Sequence, residues 1–369
     1  MIHSDEEYLV VTRKICIFAL YNVNKHSMLR QKREKSGTGI CHVMQGKESK
    51  TCPSDSCSRY FCVICALLVL LVSACIDREA PVDKKKLLGD DFRLFQGTIA
   101  WDLAKAVQDE NADEIRRQVQ DKNIPVDYKE DRWKQTLLML ATHNNKKKSV
   151  KALLELGASP NVPCDTIRYR GDNSVIIASR FSRVSPEILK MLLEYGGDPN
   201  SVERGVQQDN LGSWIPARHF ALFEAVDLEG DYEKVRMLVE AGADVNMQTE
   251  DTGAGAMYIA LAFDRMDVLL YLLKHGADYN RKFKRIDVIS SKDSASYMSF
   301  YVDILYELRL RAYPLDSKKH KEKLKVIDFL KERGMDYWKS PVSDWALTVI
   351  KREMSPKDEK ELQEYLKRY

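Results

Sequence analysis

Residues Leu272–Asn280 read LLKHGADYN, and the same phrase returns as LLELGASPN at Leu153–Asn161, LLEYGGDPN at Leu192–Asn200 and LVEAGADVN at Leu238–Asn246, with a weaker echo at Phe329–Tyr337. Each copy opens on apolar residues suited to a core face and reaches a glycine: Gly157, Gly196, Gly242, Gly276 or Gly334. A glycine there suits the left-handed position that ends a helix, which strains any residue with a Cβ. The Ser or Asp and the Asn that follow (Ser159 and Asn161, Asp198 and Asn200, Asp244 and Asn246, Asp278 and Asn280) bond to nearby backbone and make turns. The phrase is therefore a helix exit running into a tight turn, and its recurrence decides the architecture.

Counting back 21 residues from two of the glycines finds matching helix starts, TLLMLA at Thr136–Ala141 before Gly157 and GAMYIA at Gly255–Ala260 before Gly276. Thr136 is placed to cap its helix, and Ala141 and Ala260 are small where a first helix packs closely on its neighbour. Together with the turn phrase, these starts resemble the ankyrin-repeat family over roughly residues 98–338. The resemblance implies an all-α solenoid of about six helix-turn-helix repeats with atypical capping units. Ser174–Ser179 and Phe220–Ala225 fit the register only with one or two extra residues. Residues 99–128 read as a first repeat with its turn at Asn111, and a long helix pair is expected from about Ser296 to Gly334. The repeat domain is placed at 92–340, with charged capping helices at 341–369.

Successive stop glycines lie 39, 46, 34 and 58 residues apart, where the family unit is about 33. The extra residues fall mostly after the turns, at 162–172, 201–216 and 281–295, with a Lys-rich insertion at 314–323. Equivalent loops of a solenoid project from one side, which is often the binding side. These insertions carry Arg168, Tyr169, Arg170, Trp214, Phe283 and Arg285, types that dominate interface energetics, and they are the candidate protein-binding residues.

Upstream, YFCVICALLVLLVSA at 60–74 is apolar, follows Lys47, Lys50 and Arg59, and ends in small residues, the layout of a secretory signal. It is short for a transmembrane helix. Val72-Ser73-Ala74-Cys75 resembles the bacterial lipobox, which implies lipidation at Cys75 and removal of what precedes it. Residues 1–59 are then a leader outside the mature protein, with Met44 a start that gives a signal of ordinary length; 60–75 is the signal and lipobox, and 76–91 a polar tether. Ile76 after the cysteine resembles the outer-membrane class of lipoprotein. Seven of the eight cysteines lie at or before Cys75. Cys52, Cys57, Cys62 and Cys65 have tempting zinc spacings, but two of them sit inside the apolar run, and no metal is expected. Residues 1–74 hold 10 Lys and Arg against 6 Asp and Glu, leaving 48 against 49 afterwards, so the domain has no global field for nucleic acid. The lysines at 146–148 and 318–325 read as solvated helix edges.

No nucleophile elbow, zinc-protease motif, P-loop or dinucleotide fingerprint occurs, and His143, His219 and His275 fall at unrelated places in their repeats. The chain is read as a non-enzymatic protein binder with no cofactor, anchored in the bacterial envelope and facing the periplasm. Ankyrin lipoproteins of this kind resemble immunity partners of type VI secretion phospholipase effectors, which implies a phospholipase toxin, encoded by a neighbouring gene, as the partner. A periplasmic scaffold or protective partner of a resident envelope enzyme is the alternative.

Overall fold

A computed structural model describes residues 78–369 apart from 209–212, 228–229, 250–252 and 292–293, and only the backbone of 286–299. The signal-like run, Cys75 and the Cys52, Cys57, Cys62 and Cys65 group lie outside the described residues. Contacts divide the chain into two units, one of which spans 20–87; its described part holds a 3-10 turn, Lys84–Lys86, capped by Asp83. No described helix is long and apolar enough to cross a membrane.

From Leu88 onward the helices come in pairs. They are α1 (Trp101–Gln108) and α2 (Ala112–Gln120), α3 (Leu137–His143) and α4 (Lys147–Glu155), α5 (Ser174–Arg180) and α6 (Pro186–Glu194), α7 (Ala221–Val226) and α8 (Tyr232–Glu240), α9 (Ala256–Ala262) and α10 (Met266–Lys274), and α11 (Ile304–Arg309) and α12 (Lys318–Lys331). A closing pair follows, α13 (Asp344–Met354) and α14 (Glu359–Leu366). This is the six-repeat solenoid with a helical cap that the sequence implied. First helices stack consecutively from α1 to α9, second helices from α2 to α8, and α10 packs on α12. Every residue of 137–142, 174–179 and 221–226 is buried, so these first helices are core on all sides.

The stop glycines take the left-handed backbone that the phrase demanded, with φ of +88° at Gly157, +83° at Gly196, +95° at Gly242, +93° at Gly276 and +87° at Gly334. Thr136 caps α3 by accepting from the Met139 amide, and Ala141 and Ala260 are fully buried. The turn asparagines reach further than their own turns. Asn161 donates to Gly196 O at 2.8 Å and accepts from Asp198 N at 2.8 Å; Asn200 does the same with Gly242 O (3.3 Å) and Asp244 N (2.7 Å), and Asn246 with Gly276 O and Asp278 N (both 2.9 Å). A carboxamide carries both donor and acceptor, so each rung satisfies two backbone groups of the next repeat. Asp127 holds the equivalent place one repeat earlier and only accepts, from Ser159 N at 3.2 Å.

Three expectations are corrected. The insertions at 201–216 and 281–295 are not open loops. The first forms a hairpin of β1 (Val206–Gln208) and β2 (Trp214–Pro216); the second opens a longer antiparallel ribbon, β3 (Phe283–Ser291) with β4 (Ser294–Val302), running from the Phe283–Val302 pair to the Ser291–Ser294 pair. The sequence of 283–302 is rich in β-branched and aromatic residues, which favour strands, so the expected helix from Ser296 gives way to β4 and α11 starts only at Ile304. The lysine-rich edge at 318–325 is not wholly solvated, because Lys323 is 1% exposed. Before the first helix pair, Asp90 O accepts from the side chain of Asn144, the residue after α3, at 2.8 Å, and Phe92–Phe95 forms a buried 3-10 turn.

Candidate protein-binding platform

Each turn phrase is followed by a finger of chain before the next first helix. Besides the β3–β4 ribbon, two fingers, 162–172 and 201–216, are lengthened, and the sequence makes both rigid. In the first, the Cys164 amide donates to Asp172 O at 2.8 Å and closes the base. Asp165, inside the loop, accepts from the amides of Ile167 (2.7 Å) and Arg168 (3.2 Å). The preceding finger uses the same device with Glu130, fully buried, which accepts from the amides of Arg132, Trp133 and Gln135. Asp165 N donates to Trp133 O at 2.8 Å and Lys129 Nζ to Pro163 O at 2.7 Å, joining these two fingers.

The second long finger is zipped to the first. Gly205 N donates to Arg170 O and Val206 N to Tyr169 O, both at 2.9 Å, so residues 169–170 lie along one edge of β1 and β2 lies along the other. Gly205 is required here: a Cβ at this position would fall 1.9 Å from Tyr169 O. Three consecutive fingers thus form one continuous surface. On it the Trp133 and Tyr169 rings stack at 4.6 Å with the Arg132 guanidinium 4.4 Å over Trp133.

Beneath the platform sits a buried charge network that joins the same fingers to the helices. Arg180, at the end of α5, binds Asp172 with two nitrogens (2.6 and 3.2 Å), contacts Glu203 Oε1 with a third bond, and brings Nε within 3.0 Å of Glu224 Oε2 on α7. Arg170 Nε lies 2.7 Å from Glu203 Oε1, too oblique for a hydrogen bond, so that contact is Coulombic. His219 Nδ1 lies 2.8 Å from Glu224 Oε1, its amide donates to Glu203 Oε2 at 3.1 Å, and its ring stacks on Phe223. Burial alone would lower the Arg180 pKa, but Glu224, Asp172 and Glu203 raise it well above the ordinary arginine value. Burial pushes Glu224 up while Arg180 and His219 pull it down further, to about 2; burial wins at Glu203, which is raised despite Arg180 and Arg170. Glu203, His219 and Glu224 bring ligand atoms within 4.8 Å of one another, the spacing of a metal triad. Arg180 already spans both carboxylates, so Glu203 and Glu224 act as its counter-charges, with His219 a further polar partner of Glu224.

A cavity of about 350 Å³ opens on the platform between Trp133, Gln135, Arg168, Tyr169, Arg170 and Trp214. A second, of about 390 Å³, continues from the shared residues Gln135, Cys164 and Asp172 toward His143, Phe181 and Arg183 at the ends of α3 and α5. Trp133 Nε1 and Gln135 Oε1 are buried in this region without a protein partner. Such groups cost about 1–3 kcal/mol each until something pairs with them. Cys164 lines both cavities, and burial raises its thiol to about 12, so it is inert as a nucleophile. Burial lowers the His143 pKa, with Arg183 adding to the effect.

Of the six residues singled out from sequence, the structure gathers four. Arg168 and Trp214 stand out from the platform at 70% and 59% exposure, Tyr169 lies in its aromatic stack, and Arg170 bridges the fingers. The other two lie elsewhere. Phe283 is buried against Tyr258, and Arg285 pairs with the buried Glu307 at 2.9 Å, so both pack into the fifth and sixth repeats, away from the platform. Sequence reading missed Trp133, whose finger carries no insertion, and Ile167, 82% exposed beside Arg168. On the second helices, the side chains of Lys151 and Lys190 are exposed and pair only within their own helices.

Comparison with known proteins gives one family. Two family models match, "Ankyrin repeats (3 copies)" over residues 103–203 and "Ankyrin repeats (many copies)" over 219–273. The chain is 32% identical over 124 residues to protein phosphatase 1 regulatory subunit 27 of Mus musculus, covering 32% of this chain and 79% of that protein. It is 30% identical over 151 residues to alpha-latrocrustotoxin-Lt1a of Latrodectus tredecimguttatus, covering 40% of this chain but 9% of the toxin.

Proposed function

The chain belongs to the ankyrin-repeat family, and from that premise we propose that it is a non-catalytic binder that captures a protein partner on the platform formed by its three joined fingers. The observation that carries this reading is the rigid, buried-network support beneath exposed Arg168, Ile167 and Trp214: pre-organised aromatic and arginine anchors lose little freedom on docking. The unpaired Trp133 Nε1 and Gln135 Oε1 offer a donor and an acceptor to an incoming polar group. Similarity to a protein named as a regulatory subunit supports control of another protein by binding it.

The finer reading is that the partner is a phospholipase effector and the chain its immunity protein, held in the periplasm, at the outer membrane, by lipid at Cys75. Its support is the lipobox-like Val72–Cys75 and the signal-like run before it. A periplasmic scaffold for an envelope enzyme uses the same surface and anchor. The product of the adjacent gene decides between them: a lipase favours immunity, an envelope enzyme the scaffold.

The binding reading is tested by calorimetric titration of that product against Trp214→Ala and Arg168→Ala, with Lys151→Ala and Lys190→Ala as controls on the second helices. Loss of about 2 kcal/mol or more is expected for the platform changes if they are hot spots, and within about 0.5 kcal/mol for the controls. Binding abolished by the lysine changes and untouched by the platform changes would place the site on the other side of the solenoid.

A further inference from the structure

The three fingers bury their acids and show their bases. Segments 129–135, 162–172 and 201–216 together hold six Lys and Arg against six Asp and Glu, a balanced set. Glu130 and Glu203 are fully buried and Asp165 nearly so, each turning its carboxylate onto finger amides, with Glu203 also meeting Arg180 and Arg170. Asp172 is held by two nitrogens of Arg180. Asp209 lies outside the described residues, and among the described residues of these segments the one exposed carboxylate is Asp131, 3.8 Å from Lys134. Arg168 and Arg204 are exposed, with Arg132 and Arg170 half-buried beside them. A set balanced in composition thus presents a cationic face, because exposed charge sets the local field.

The same face carries the groove. Its two cavities meet at Gln135, Cys164 and Asp172. At the end remote from the fingers, Arg183 is exposed and Asp90 stands beside the same histidine, His143, so the two charges offset there and the positive excess lies on the finger side. On that side the groove offers one buried donor, Trp133 Nε1, and one buried acceptor, Gln135 Oε1, neither with a partner.

We propose that the groove takes an extended acidic segment of the partner protein, its main chain against the Trp133–Tyr169 stack and its Asp or Glu side chains on Arg168 and Arg204. Such an occupant presupposes the platform as the binding surface, as proposed above, and specifies its chemistry. An extended segment leaves its own peptide groups unpaired, so a C=O accepts from Trp133 Nε1 and an N–H donates to Gln135 Oε1. Carboxylates suit arginine, whose planar fork bonds both oxygens. The positive excess is confined to a few side chains, short of the track that a nucleic acid backbone needs.

Selection of a random phage-displayed peptide library on the full chain, followed by fluorescence titration of the recovered peptides, tests this. The peptides are expected to be rich in Asp and Glu and to bind at least about thirtyfold more weakly to Arg168→Gln with Arg204→Gln, a loss of the size that anchor residues carry. Trp133→Phe keeps a ring but removes the donor and should weaken them about fivefold. Arg168→Glu with Arg204→Glu, at unchanged Tm, is expected to turn the selection toward Lys and Arg, which a merely structural role of the two arginines would not do. Neutral or basic peptides that still need Trp214 overturn the acidic occupant and leave the platform as the binding surface. Peptides indifferent to both Trp214→Ala and Trp133→Phe remove the platform itself. Recovery of no peptide, or tighter binding of a labelled single-stranded oligonucleotide than of any peptide, overturns the occupant as well.

Discussion

Arg180→Met removes the cation shared by Asp172, Glu203 and Glu224 while keeping an unbranched side chain in its place. Taking one partner from a buried ion pair costs about 3–5 kcal/mol, because a charge is left without compensation. Here the loss is cushioned: Glu203 keeps Arg170 at 2.7 Å and Glu224 keeps His219 at 2.8 Å, whereas Asp172 loses both bonds from Arg180. The expectation is therefore the lower end, about 3 kcal/mol, read as a lower urea midpoint at pH 7. The pH profile sharpens the test. Glu224 is held at about 2 when folded, against 4.5 as its ordinary value, so its contribution is present above about pH 4.5 and is lost as pH falls toward 2. That contribution is at most about 3 kcal/mol. Glu203, displaced upward by burial, acts with the opposite sign: its ionisation disfavours the fold, and acid relieves that cost. The net acid loss is thus smaller than Glu224 alone would give, and in Arg180→Met the part due to Glu224 flattens. A midpoint within about 1 kcal/mol of the parent together with an unchanged acid limb would refute the claim that this network holds the fingers.

Further outcomes follow from single contacts. Gly276→Val puts a β-branched side chain at φ +93°, where a Cβ meets no atom within 4 Å but the backbone itself is disfavoured, so unfolding should come at least about 1 kcal/mol earlier in urea. Asn200→Ala removes a rung whose two bonds join the third and fourth repeats and should cost about 1–3 kcal/mol in the same assay, more than Asn280→Ala, where the backbone amide of residue 280 donates to Asp278 Oδ1 and the variant keeps that bond. Cys75→Ser should abolish incorporation of a lipid analogue in growing cells; equal labelling of the variant would end the lipoprotein reading.

Much of the fold is legible because the repeat phrase states its own geometry: a glycine at a left-handed stop and an asparagine two turns of logic later. The fingers are legible only as extra length. Nothing local announces that Tyr169 and Arg170 pair with Gly205 and Val206, since the contact joins two insertions from successive repeats. Arg180, Glu203 and Glu224 lie in three different segments and share no spacing, so their convergence appears only when first helices stack. Phe283 shows the reverse limit: the sequence places an aromatic in an insertion, but not the strand pairing with Val302 that sets it against Tyr258. Lys323 looked solvated because its neighbours are lysines, and the cap that buries it comes from sequence far downstream.

The asparagine rungs carry a consequence for how such a chain can change. Asn161, Asn200 and Asn246 make the same pair of bonds to the following turn although the intervals between stop glycines run 39, 46 and 34 residues. The ladder does not sense what lies between its rungs. Closing a longer loop costs little, about 0.6 kcal/mol for each doubling of length. Fingers can therefore lengthen, shorten or be exchanged while the stack stays in register, so recognition and architecture are free to evolve at different speeds within one chain.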